Sequence, residues 1–467
     1  METHLNKSSE NQSPTAHLAQ FVAGLEYKAI PSEVISHIKL CSLDTLGCAL
    51  YGSTLPWGKT IIQFVKECGK GKGALVWGDG SEVPSPNAPL ANGTLVHSFE
   101  LDDIHRDAVL HPGAVTLPAA DALVRQTGAD GKHLLTALVA GYETGCRVGL
   151  GGGASQLRRG FHPSGTTGTF AAAAAAAKIL CLEAGRTLHA LGIAGTQSAG
   201  LMAAQAASMV KRMHPGRAAQ SGVYGALLAT KGFTGIVDIL EAPYGGFYST
   251  LSDQAEIDRI AQGLGEEYAL LNVGFKLYPC CANNHTSLDA LQKIRTAYPS
   301  LRAEDMERVV VRTTHISTLH VGWPYVPDSV TTAQMNLSYC LAASLIDGHF
   351  SIDQVTQEAI GRRDILEVTK RIEVVEDPEL EGLGDRFRYA AKLELFLRDG
   401  TCLKEKVLQA KGSKEWPLTE SEIVSKFRLL ASKVLKPSQM ERLLDTVHGL
   451  ERVEDVKILA MLASPIN

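Results

Sequence analysis

The sequence predicts a mainly α protein: a large all-helical domain with a smaller α+β domain inserted towards its C-terminal end. Three observations carry this. Between residues 88 and 230 Ala and Gly are abundant, and "TFAAAAAAAKIL" holds seven consecutive alanines, 171–177. Alanine has the highest helix propensity, and small side chains let helix backbones approach closely. After residue 271 the composition turns β-rich, in "MERVVVRTTHIS", "RIEVVED" and "AAKLELFLRDGTCLKEKVL". Helical patterning then returns in "TESEIVSKFRLLASKVL" and "PSQMERLLDTVHGL". The expected organisation is a disordered start over 1–16, a helical domain over 17–271 plus 409–467, and an α+β lid over 272–408.

Taken in order, helix is expected from about Leu18. In "PSEVISHIKLCSLDTLGCALYG" Ser32 follows Pro31 as an N-cap. Val34, Ile38, Cys41 and Cys48 recur at helical spacing, and Gly52 marks the stop. "LHALGIAGTQSAGLMAAQAAS" is apolar on nearly every face, as in helices buried inside a large domain, yet polar residues interrupt such runs too often for a membrane span. In the insert, helices are expected around 287–298 and 335–346. Asp399-Gly400 between the runs 393–397 and 401–407 reads as a hairpin.

Composition narrows the function classes. With 467 residues and 45% hydrophobic content the chain can bury a substantial core. A net charge of −5 and a pI near 6.3 give no electrostatic reason to expect nucleic acid or a membrane surface as partner. The nine cysteines are scattered without a C-x-x-C pair, which speaks against a disulfide framework or a cysteine-rich metal site. "METHLNKSSENQSPTA" is polar and has no apolar core of a secretory signal. A reducing, intracellular setting is expected.

Four clusters can carry chemistry. "HSFELDDIHRDAVLHPGAV" packs His97, His105, His111 and the acids Glu100, Asp102, Asp103 and Asp107 into nineteen residues. "RRGFHPSGTTGTF" sets His162-Pro163 before a Ser/Gly/Thr-rich turn and the alanine helix, whose free N–H groups would suit a carboxylate. "MVKRMHPGRAAQSG" gathers Lys211, Arg212, His214 and Arg217, and "GFKLYPCCANNHTSLDA" gathers Lys276, Cys280, Cys281 and His285. Each has a bland reading: a solvated acidic loop, His-Pro turns, an exposed basic helix start, and two cysteines buried as small hydrophobes.

His97, His105 and His111 lie eight and six residues apart, unlike the i, i+4 ligand spacing of a helical zinc site, so no metal is expected. "GKGKGALVWGDG" and "GLGGGAS" lack the order and strand–helix context of phosphate and dinucleotide loops, and there is no G-x-S-x-G elbow. What remains, histidine, lysine and carboxylate, suits proton transfer next to a substrate carboxylate: cations neutralise the acid while a histidine moves the proton.

With these residues in view, "ANGTLVHSFELDDIHRDAVLHPGAVTLPAADAL", "GYETGCRVG", "FHPSGTTGTFAAAAAAAKIL", "VKRMHPGRAAQSGVYGALLATKGFTG" and "FKLYPCCANNHTSLDA" together resemble the MmgE/PrpD superfamily, in order and over most of the chain. The resemblance implies a helical domain with an α+β lid, a homodimer, and no metal or organic cofactor. It implies one of three chemistries: 2-methylcitrate dehydration, cis-aconitate decarboxylation or iminodisuccinate epimerisation. Matched residue by residue, it implies roles for His111, His162, Lys211, Glu100, Lys276, Cys281 and Tyr325; with the clusters' own chemistry, the expected catalytic set is His111, His162, Lys211 and Asp102, and the expected substrate-binding set is Glu100, His105, Lys276, Cys281, Tyr325 and His214. His111 is the expected base, with Asp102 or Glu100 orienting or charging a neighbouring histidine, and His162 and Lys211 returning the proton. Asp103 and Asp107 are expected to be structural, capping a helix or pairing with Arg106.

Two departures stand out against the decarboxylase branch: Ile104 replaces a threonine and Cys281 a catalytic histidine. They argue against cis-aconitate decarboxylation, and the "YPCC…H" variant is similar to the branch that contains the epimerases. The expected function is a cofactor-independent lyase, dehydratase or decarboxylase, on a small di- or tricarboxylic acid in the cytoplasm, with mitochondria as the other location. The alternatives are an epimerase of a similar polyacid and an idle metabolite-binding paralogue.

Overall fold

The computed structural model describes residues 13–69, 71, 73–205 and 208–465. Its helical region contains α1 (Pro14–Gly24), α2 (Ser32–Thr54), α3 (Asn87–Val96), α4 (Gly113–Asp121), α5 (Gly131–Gly152), α6 (Gly168–Ile179), α7 (Ala184–Gly195) and α8 (Val210–Thr230). The alanine helix α6 lies at the centre, packed on α4, α5, α7 and α8, with all seven alanines fully buried. Close approach explains the composition. Where α8 passes α6, a Cβ on Gly222 would sit 2.4 Å from Ala172 Cβ. Where α3 meets α8, a Cβ on Gly93 would sit 2.7 Å from Gly216 Cα. Larger residues would push α8 away from α3, and with it the basic cluster that α8 carries.

Three expectations about helix ends are corrected. The expected disordered start overlaps α1: Ser13 caps it by accepting from Ala16 N–H at 3.1 Å, while residues 1–12 lie outside the described residues. Ser32 is the first residue of α2 rather than its cap. Gly52 does not stop α2, because it is a packing glycine whose added Cβ would meet Leu95 O at 2.1 Å. His214-Pro215 is not a turn but sits inside α8. Two short ribbons also interrupt the otherwise helical region: β1 (Ala74–Leu75) with β2 (Glu82–Val83), and β3 (Ile104–His105) with β4 (Val273–Gly274).

The insert contains a four-stranded mixed sheet of order β6-β5-β7-β8, from β5 (Met306–Thr313), β6 (Ile372–Glu376), β7 (Ala391–Leu397) and β8 (Cys402–Val407). β5 runs parallel to β6 and antiparallel to β7. The expected hairpin joins β7 to β8, with Gly400 at φ 91° in its turn. Leu393 and Leu395 of β7 are buried where helix α9 (Ala282–Ala297) covers the sheet, and α10 (Leu337–Asp347) packs against α9. The chain then returns to the helical region. α11 (Glu420–Ala431) lies along α2, with Phe427 against Gly47, and α12 (Pro437–His448) follows. Among the described residues no helix is long and apolar enough to cross a membrane.

Candidate active site

The acid-rich motif is bent back on itself. After α3 a single 3-10 turn, His97–Phe99, ends at Glu100 with φ 55° and ψ 34°, a left-handed conformation costly for a residue with a Cβ. Val109 is held at φ 52° further along. The bend returns Asp102 to His97: His97 Nδ1 lies 2.9 Å from Asp102 Oδ2, and His111 Nδ1 lies 3.2 Å from the same oxygen. All three side chains are buried. Nδ1 of His111 faces Asp102, so Nε2 is the nitrogen left for a substrate.

Glu100 is the focus of a second set. Lys211 and Arg212, from the first turn of α8, both donate to its Oε1, Arg212 at 2.6 Å. Lys276, just past β4, donates to Oε2 at 3.1 Å. Glu100, Lys211, Arg212 and Lys276 are each at most 6% exposed. Burial pushes the Glu100 carboxyl up, but Lys211, Lys276 and Arg212 together hold it well below the usual carboxylate range. The two lysines diverge. Burial lowers Lys211 despite Glu100, whereas at Lys276 the pull of Glu100 and Asp102 overcomes burial and raises it. Lys211 is therefore the softer proton donor. Three cations facing one carboxylate leave a positive excess in a site where water screens little.

Four imidazoles form a row beside these groups. Ring centroids are 4.7 Å apart for His111–His97, 5.4 Å for His97–His162 and 5.2 Å for His162–His214, and the last two meet Nδ1 to Nδ1 at 3.0 Å. Burial lowers His97 and His214 to about 4, and His162 well below its ordinary value. Neutral imidazoles in such a row can accept and release protons without a buried charge persisting. His97, Asp102 and His111 offer atoms within 4.8 Å of one another, a set that could hold a metal ion.

Of the residues expected in the site, Glu100, Asp102, His111, His162, Lys211, His214 and Lys276 gather here. Cys281 borders them at the start of α9. Its thiol, which donates to Asn283 Oδ1 at 3.2 Å, is pushed up to about 11 by burial and feels Glu100, Lys276 and Lys211. His105 and Tyr325 stand elsewhere. His105 Nδ1 accepts from Ala108 N–H at 3.1 Å in the ribbon with β4, because alternation along β3 turns it away from Ile104's side. Tyr325 donates to Ile360 O at 3.0 Å and stacks near Tyr339 inside the insert. Asp103 is structural as expected, accepting from Gly113 N–H at 3.0 Å and Tyr142 Oη–H at 2.8 Å. Asp107 pairs with Arg388 at 3.8 Å, not with Arg106. The bland reading of Lys211–Arg217 as an exposed helix start fails for Lys211 and Arg212, and that of a buried small hydrophobe holds for Cys280. At the start of α6 the short helix Pro163–Thr166 runs into it, and Phe170 N–H is taken by Thr167 O.

Three residues were missed as site members. His97, seen only as a poorly spaced ligand, is brought to Asp102 by the Glu100 bend. Arg212 is adjacent to Lys211 but gave no signal distinguishing it from a surface arginine. Gln334 ties the site to the insert, accepting from Arg212 at 3.0 Å and donating to Phe99 O at 2.8 Å and Pro279 O at 3.0 Å. Nothing near it in sequence marks it.

The molecule thus combines a helical core, an α+β unit and a buried cluster of His, Asp, Glu, Lys and Arg side chains. The chain belongs to the MmgE/PrpD family: residues 16–260 match the MmgE/PrpD N-terminal domain and 278–452 the MmgE/PrpD C-terminal domain. Among named relatives, it is similar to the cis-aconitate decarboxylase-like protein oryM of Aspergillus oryzae, 33% identical over 98% of each chain. It is 29% identical to cis-aconitate decarboxylase of Aspergillus terreus, again over 98% of each. It is 24% identical to a mitochondrial 2-methylcitrate dehydratase of Yarrowia lipolytica, over 81% of this chain and 76% of that one.

Proposed function

We propose that this protein is a cofactor-independent lyase, a dehydratase or decarboxylase, that moves a proton next to a carboxylate of a small di- or tricarboxylic acid. The observation that carries the reading is a base and an unbalanced cation cluster side by side. His111 Nδ1 lies 3.2 Å from buried Asp102, and Lys211, Arg212 and Lys276 converge on the single carboxylate of Glu100. A hydrogen α to a carboxylate is very weakly acidic, so its removal needs a positioned base and cations where charge develops. In dehydration, His111 takes that proton, the C–H pair becomes the double bond, and the departing hydroxide is protonated by Lys211, which is left as the neutral amine. In decarboxylation, the C–C pair released with CO₂ is stabilised through the remaining carboxylate by the lysines and captured by a proton from His111. The activities for which the relatives are named, cis-aconitate decarboxylation and 2-methylcitrate dehydration, support this class.

Cys281 favours a second reading, epimerisation, because its thiol keeps its proton at neutral pH beside Lys276 and can serve as a second donor. Incubating candidate polyacids in D₂O and following them by proton NMR separates the readings. A lyase yields an alkene with water or CO₂, and an epimerase exchanges the α-hydrogen without fragment loss. A paralogue that binds the acid with neither outcome ends both readings. We also place the protein in the cytoplasm as a homodimer. Nine unpaired cysteines suit a reducing compartment, and exposed Leu201, Met209 and Val210 offer an apolar face for a second copy.

A further inference from the structure

A second cavity, of about 440 Å³, opens at the seam between the helical region and the insert. Its walls are His105, Arg106 and Asp107 from one side and Arg386, Arg388 and Lys414 from the other, and none of the candidate catalytic groups lines it. Four basic side chains face two acids, Asp107 and Glu415. Glu415 is bound to Arg386 at 3.1 Å, and Asp107 lies 3.8 Å from Arg388. The walls therefore carry a positive excess.

The unpaired atoms decide what would fill it. Arg106 Nε and Nη1 and Arg388 Nε are buried and make no hydrogen bond among the described residues. His105 Nδ1 accepts from Ala108 N–H, and burial drives His105 down to about 4 against the pull of Asp107 and the Ala269 carbonyl. Its proton in the neutral form is therefore on Nε2, towards the Ala269 carbonyl, and the three arginine nitrogens are the unpaired donors. Buried donors without acceptors are costly, and three on the residues of one cavity are most simply satisfied by an acceptor-rich ligand. Arginine forks suit the paired oxygens of carboxylate and phosphate.

We propose that this seam is a binding site for a small polyanion bearing carboxylate or phosphate oxygens, separate from the catalytic pocket and not dependent on the reaction assigned to it. The anion bridges the two halves of the molecule. The Arg386–Tyr389 segment of the insert already reaches across, since Arg388 donates to Arg106 O. Gly274 in the cavity wall is two residues from Lys276 in the Glu100 cluster. Occupancy therefore ties the insert to the helical domain next to the catalytic cations.

The test is calorimetric titration of inorganic phosphate, and separately of tricarballylate, into the wild type, the surface variant Arg386→Ser/Lys414→Ser and the pocket variant Lys211→Met. Arg386 is 67% exposed at its side chain and Lys414 is exposed, so a melting curve should confirm that the double variant folds. Binding of either anion to wild type and Lys211→Met, weakened tenfold or more in the double variant, is expected. Whichever anion behaves this way identifies the ligand as phosphate or carboxylate. Binding lost only in Lys211→Met would place the anion in the catalytic pocket and overturn the proposal. Equal binding by all three proteins, or binding of neither anion at millimolar concentration, would also overturn it.

Discussion

The stretch from Glu100 to Asp103 feeds two buried charge clusters of opposite design. On one side a single carboxylate, Glu100, meets three cations, Lys211, Arg212 and Lys276. On the other, Asp103 lies close to Asp44, which pairs with Lys426 at 2.6 Å. Lys426 also donates to Leu101 O at 2.5 Å, and Tyr142 and Gly113 serve Asp103. Burial and neighbouring Asp44 push the Asp103 carboxyl well above its ordinary value. The second cluster is closed and holds α2, α5 and α11 to the motif. The first is left open. Charge imbalance, not charge density, separates the two halves of the motif.

The strongest test of that contrast is His111→Ala, which should lower kcat by roughly 10²–10⁴-fold with the melting curve unchanged, the usual worth of a general base. Near-normal turnover there, with His162→Ala inactive, would move the base along the imidazole row. Lys426→Met should do the reverse. Removing one partner of a buried pair costs about 3–5 kcal/mol, so urea unfolding should reveal a large loss of stability, while the KM of whatever enzyme folds stays close to wild type. Lys276→Met should raise KM by about one to two decades, because a charge-assisted hydrogen bond to substrate is worth about 1.5–3 kcal/mol. A KM that does not move would remove Lys276 from the substrate site.

A smaller effect concerns pH. His105 is held at about 4 when folded and has an ordinary value of 6.5. Its folded value is depressed, so the stability it contributes is intact above pH 6.5 and is lost as pH falls towards 4, by an amount on the order of 3 kcal/mol. His105→Gln should flatten that limb in unfolding measurements at pH 7.5 and 4.5. An unchanged slope would assign the acid sensitivity to other groups. The smallest expected effect is that of exhaustive chelation, which should leave turnover unchanged. Activity that falls and returns with zinc or iron would instead put an ion among His97, Asp102 and His111.

The sequence alone determined the helical core, the β-rich insert with its Asp399-Gly400 hairpin, and most of the site's membership. These are local matters: alanine runs, alternation and turn residues act over a few positions, and the motif residues sit in recognisable strings. It could not decide which acids do chemistry, because Glu100, Asp102 and Asp103 look alike within four positions. That depended on a left-handed backbone at Glu100, which aims Asp102 back at two histidines and leaves Asp103 to α4 and Tyr142. His97 and Gln334 were invisible for the same reason, and His105 and Tyr325 were expected in the site although the ribbon and the insert core turn them elsewhere. The close approach of α3 and α8 at Gly93 and Gly216 brings Lys211 and Arg212 to Glu100 across more than a hundred residues of chain. Such a contact is fixed by packing, and only the tertiary structure could decide it.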